Sequence, residues 1–180
     1  MRKTLVVIVS AVEKSGLYLS MLLTLIMALH VAAEIIGRRF FNYPIPGTIE
    51  IVAYFYMVAV SFLPLGFCQS KGEHVSADAF VSVIPRSLRP YAEWLGKLLS
   101  VIVCLILLWA TTDMAIRQTL LGEAVRSAYF DIPVWISRWL VPLGLLSMVL
   151  VMLAQMFMPK EMQERHEQSE EYRHEHSPDY

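Results

Sequence analysis

His30, Glu34 and Arg38 follow one another at intervals of four, which on a helix brings an imidazole, a carboxylate and a guanidinium onto one face. Such a face offers a proton-relay step, two ligands of a metal site through His30 and Glu34, or an ion pair in which the acid precedes the base in the favourable order. The ion pair is the preferred reading. One histidine and one carboxylate fall short of the ligand set a transition metal takes, and no third ligand is evident in the sequence.

Glu50 stands at the start of the next apolar run, just after Pro44, Pro46, Gly47 and Thr48. A carboxylate in a first helical turn is favoured by the helix dipole, and Thr48 suits the capping position. Arg38 or Arg39 lies across one tight loop from Glu50, so a pair between them would pin two helices together. His74 and Asp78 are again four apart. They suit a partner or lipid-headgroup contact, a metal half-site, or simply a solvated polar face. His166, His174 and His176 stand among acids in a polar tail, where weak metal binding would be incidental. Cys68 and Cys104 lack Cys-x-x-Cys spacing and read as small buried hydrophobes.

The elements that must position these groups are membrane helices. The chain of 180 residues is 56% hydrophobic and only 17% charged, with a mean hydropathy of +0.51. That is more apolar surface than one small soluble core buries. Asp, Glu, Lys and Arg are absent from 17–33, 51–70, 98–112 and 139–159. Crossing the hydrocarbon layer takes about 20 mainly apolar residues. The fold class expected is therefore an all-α integral membrane protein with four transmembrane helices, about 16–37, 48–70, 91–113 and 135–159, plus short interfacial amphipathic helices. Pro64 and Pro142 fall inside these spans and mark kinks. Trp94, Trp135 and Trp139, with Tyr18, Tyr43 and Tyr91, fall near span ends, where amphipathic rings are favoured.

Between the spans, 73–85 and 116–134 mix apolar and polar residues in a way that suits helices lying at the membrane surface. The basic, apolar start is read as an interfacial lead-in to the first helix rather than a secretory signal, because Glu13 and Lys14 interrupt it. Residues 1–159 thus form one membrane domain. The tail 160–180 carries seven acids, three bases and three histidines, and reads as disordered. Arg2, Lys3, Lys14, Lys71, Arg86, Arg89, Lys160, Arg165 and Arg173 fall on one side, against Arg38, Arg39, Arg117 and Arg126 on the other. By the retention of positive charge in the cytoplasm, both termini are cytoplasmic. A net charge of −1 gives no reason to expect nucleic-acid binding, which needs a concentrated basic face, and no glycine-rich phosphate loop occurs.

Two motifs resemble a known family. Arg38-Arg39-Phe40-Phe41-Asn42, leading through Pro46-Gly47-Thr48 to Glu50, and His74-Val75-Ser76-Ala77-Asp78, closing at Pro85, are similar to stretches of the small permease (DctQ-like) subunits of tripartite ATP-independent periplasmic (TRAP) transporters. Ser127, Ile132-Pro133-Val134-Trp135 and Pro142-Leu143-Gly144 give a third, weaker match. Arg39 stands where the family often has an aromatic or aliphatic residue.

The resemblance implies a large multi-spanning permease subunit and a periplasmic solute-binding protein as partners, beside membrane lipid. It implies a bacterial inner-membrane location, a carboxylate substrate, and transport driven by an ion gradient. This chain would act as scaffold, with Glu34, Arg38, Arg39, Glu50, His74 and Asp78 in structural or partner contacts and with no cofactor, metal or enzymatic activity of its own. Two other classes compete. An accessory or assembly subunit of another membrane complex fits the composition equally well and is set apart by the motifs alone. A four-helix membrane oxidoreductase would need paired haem ligands at membrane depth, where only His30 qualifies, or paired loop cysteines.

Overall fold

The structure is a computed structural model. It describes residues 2–43, 45–71, 89–127 and 130–157, with side chains described from Val7 onward and, in the third helix, at Tyr91 and from Trp94. His74, Asp78, the 73–85 segment and the charged tail lie outside the described residues.

Four helices are long and apolar enough to cross a membrane. Helix α1 runs unbroken over Arg2–Phe40, so the lead-in expected at the N-terminus is continuous with the first span. Helix α2 covers Thr48–Ser70, α3 Arg89–Leu121, and α4 Trp135–Phe157, with an interruption at Trp139. A two-stranded antiparallel hairpin, β1 Val125–Arg126 and β2 Asp131–Ile132, joins α3 to α4.

Helix α4 is the hub and packs against each of the other three. Val101 and Cys104 of α3 meet Val149 and Met152 of α4 in one buried cluster. On another side of α4, Val151 and Ala154 pack with Val9 of α1. Most of the remaining apolar side chains point outward, as expected where the solvent is lipid and packing alone must hold helices together.

Close approach of α1, α2 and α4 depends on small residues around a break in α2. Pro64 has no N–H to offer the Val60 carbonyl one turn back, and the ladder gives way to a turn at residues 63–64. Ser20 of α1 donates its hydroxyl to that carbonyl at 3.3 Å. Polar groups freed inside a membrane must find such partners. Beside the break, a Cβ on Gly16 would overlap the Leu63 carbonyl, and one on Gly144 would overlap the Phe62 carbonyl. Pro142 sits in the first turn of the main segment of α4, Leu140–Phe157, where a missing N–H costs nothing within the helix. The interruption precedes it.

One expectation fails between α3 and α4. Among the described residues the surface helix read over 116–134 is absent: residues 116–121 continue α3, and Val125–Arg126 pairs with Asp131–Ile132. Gly122 adopts φ 64, returning its N–H to Thr119 and that of Glu123 to Gln118, a glycine-terminated helix end. The β-branched Val125 and Ile132 then pair across the two strands.

Candidate functional site at one end of the helix bundle

The α1–α2 loop and the hairpin lie at the same end of the bundle and touch. Gly47, with φ 83, immediately precedes α2 and presents its backbone to Phe130 and Ile132, where a Cβ would meet the Phe130 ring at 3.0 Å. Where the same loop leaves α1, Asn42 takes the left-handed conformation, and the Gly37 carbonyl accepts both the Phe41 and the Tyr43 N–H at 3.1 Å. Asn tolerates that conformation better than any other non-glycine residue. The asparagine of the Arg-Phe-Phe-Asn stretch therefore has a backbone role, ending α1.

Contacts between α1 and α2 fix their register. His30 meets Thr48, Ser20 meets Val60, and Gly16 meets Leu63. The ten residues after His30 therefore carry α1 past the first turn of α2 by about 15 Å at 1.5 Å per residue. Glu34, Arg38 and Arg39 sit on this projecting part.

Arg38 donates to Glu34 Oε1 from Nε at 3.0 Å and from its terminal nitrogen as well. The carboxylate is buried, with 11% of its side chain exposed, whereas the Arg38 side chain is 63% exposed. His30 belongs to a different contact. Its Nε2 lies 3.4 Å from the Thr48 hydroxyl, and its ring meets Tyr56 edge to face at 5.9 Å. Tyr56 closes a five-residue π-helical segment, Val52–Tyr56, which widens α2 where the imidazole packs. His30, Glu34 and Arg38 share a face, but the imidazole turns to α2 while the carboxylate and guanidinium satisfy each other. No group of three potential metal ligands occurs among the described residues.

Thr48 lies inside α2 and donates to the Ile45 carbonyl at 3.1 Å, so the residue before the helix is Gly47 rather than a threonine cap. Among the described residues Glu50 and Arg39 make no ion pair, and Arg38 is engaged by Glu34 rather than across the loop. Glu50 is half-buried in the first turn of α2, where the dipole favours it.

An ion pair made through two bonds at this end is not one that the sequence singles out. Arg138, at the start of α4, donates to both carboxylate oxygens of Glu123, from Nε at 2.9 Å and from its terminal nitrogen at 2.8 Å. The Trp135 N–H donates to the Glu123 carbonyl at 3.3 Å, and the Trp139 indole donates to Thr119 at 3.0 Å. Hydrogen bonding from Arg138 holds the Glu123 carboxyl below the usual carboxylate range, against a smaller opposing effect of burial. Arg117–Asp113 and Arg126–Asp131 are the other ion pairs of this end among the described residues, beside Glu34–Arg38. At the opposite end, Gln69 and Gln155 exchange amide bonds between α2 and α4: Gln69 donates to the Gln155 side-chain oxygen at 3.0 Å, and Gln155 donates to the Gln69 carbonyl at 3.1 Å. Polar amides inside apolar runs were the available signal.

The region containing the loop, hairpin and paired charges matches a family model. Residues 27–159, more than half of the chain, match the DctQ component of tripartite ATP-independent periplasmic transporters. The chain belongs to the DctQ family. The DctQ match begins just before His30 and takes in the Glu34–Arg38 pair, the Gly47 turn, the hairpin and the whole of α4. The chain is thus a small component of a TRAP transporter, and the DctQ family is one of transporter components rather than of enzymes. Comparison with curated proteins and with solved structures finds no match.

Proposed function

We propose that this DctQ component is the scaffold on which the large multi-spanning permease subunit of an ion-gradient-driven carboxylate transporter is held in the inner membrane. One observation carries the proposal beyond family membership. Among the described residues, the charged side chains of the four spans gather toward helix ends, and Ser20 and His30, deeper in the bundle, meet partners within the chain at Val60 and Thr48. A transport site needs unsatisfied polar groups converging at mid-membrane. A brace needs the opposite, a self-contained bundle with apolar faces turned outward.

In this reading residues 1–159 act as one membrane domain, both termini face the cytoplasm, and the end bearing the α1–α2 loop and the hairpin faces the periplasm. There it contributes to docking the solute-binding protein. Glu34, Arg38, Glu50, His74 and Asp78 keep the bundle in shape or contact the partner subunits.

Uptake by the reconstituted three-component system is the test. Charge-removing substitutions at Arg38, Glu50, His74 and Asp78 together are expected to weaken association with the large subunit and lower uptake. Unchanged assembly and uptake would refute the assignment of these residues.

A further inference from the structure

We propose that Arg39 holds the phosphate of an anionic phospholipid headgroup at the projecting end of α1. Five arginines are described at this end of the bundle. Four have a carboxylate within ion-pair distance: Arg38 with Glu34, Arg117 with Asp113, Arg126 with Asp131, and Arg138 with Glu123. Arg39 has none among the described residues and is exposed. The partial negative charge at a helix C-terminus favours it there but is no full counter-ion.

Its surroundings point to lipid rather than to a protein carboxylate. Phe40 is 78% exposed and Phe41 76%, and Tyr43 is exposed on the same turn. Aromatic rings beside a cation at the end of an apolar helix suit the boundary between acyl chains and headgroups. A planar guanidinium matches two phosphate oxygens at once. The register of α1 against α2 carries Arg39 past the first turn of α2, and its side chain is exposed, so a headgroup can reach it. The inference rests on the chain's own geometry and is independent of the scaffold reading.

The test is native mass spectrometry of the full-length chain released from mixed micelles of phosphatidylglycerol and phosphatidylcholine, reading the ratio of the two bound lipids. Arg39→Gln is expected to lower the preference for phosphatidylglycerol about fivefold, the usual worth of one basic residue near an anionic membrane surface. Arg39→Lys should lower it less. Arg117→Gln, which changes net charge equally, should leave it unchanged, and millimolar inorganic phosphate should not compete. Thermal unfolding of each variant confirms a folded chain. The proposal is overturned if Arg39→Gln keeps the wild-type ratio, if Arg117→Gln loses as much, or if inorganic phosphate displaces the lipid. It also fails if the preference disappears when the chain is co-purified with its large subunit, since a partner carboxylate would then occupy Arg39.

Discussion

Arg138 and Glu123 stand fifteen residues apart and on opposite sides of the hairpin, yet they meet through two bonds of 2.9 and 2.8 Å. The pair closes the 122–134 connection like a clasp and holds Phe130 and Ile132 against Gly47. Both side chains are partly exposed, so solvent screening limits the contribution to about 1 kcal/mol. Glu123→Gln should lower the unfolding temperature modestly and speed amide exchange in the hairpin. Exchange rates at Val125 and Ile132 equal to wild type would show the clasp to be dispensable.

The same pair gives a pH dependence with a definite sign. Glu123 has a lower carboxyl pKa in the fold than in an unfolded chain, so its contribution is present above the ordinary value of about 4.3. It is lost as pH falls through the lower folded value. The stability difference between wild type and Glu123→Gln should therefore be constant near neutrality and shrink on acidification. A difference that grew with acid would reverse the assignment.

Gly144→Ala puts a methyl group into the Phe62 carbonyl, whereas Gly96→Ala meets nothing within 4 Å. Overpacking costs about 1–3 kcal/mol, so the first variant should melt earlier and lose its α2–α4 contact. The second should match or slightly exceed wild type, since alanine favours helix over glycine. Equal melting of the two variants in mild detergent would contradict the packing described for α4.

Ser20 and Pro64 act on one carbonyl, that of Val60, one by supplying a donor and the other by removing one. Ser20→Ala should cost about 1 kcal/mol alone and much less when Pro64→Ala restores a backbone N–H. A double-mutant cycle on thermal or denaturant unfolding measures this coupling. Strict additivity would mean that the Ser20 hydroxyl does not serve the freed carbonyl.

How much of this was legible in the sequence follows from the range of each interaction. The four spans were legible because about 20 apolar residues without charge is a local pattern, and Glu34–Arg38 was legible because helical spacing alone brings the two together. The full length of α1 was not, since Glu13 and Lys14 break the apolar run without breaking the helix. The hairpin was misread as a surface helix. Its alternating residues are few, and the deciding feature is the left-handed Gly122. Glu123–Arg138 and Gln69–Gln155 depend on which helices are neighbours, and spacing in the chain does not encode that. The Thr48 cap was a reasonable local reading, displaced because Gly47 reaches a backbone conformation that lets the loop lie against Phe130.

The scaffold role is tested most directly by co-purification in mild detergent of the tagged chain, expressed with a large TRAP permease subunit and a solute-binding protein, followed by mass spectrometry of what remains bound. The account predicts a stoichiometric complex with the large subunit, weakened by Gly144→Ala through loss of bundle shape. A folded, stable chain that purifies without the large subunit, while that subunit transports unaided in proteoliposomes, would contradict it.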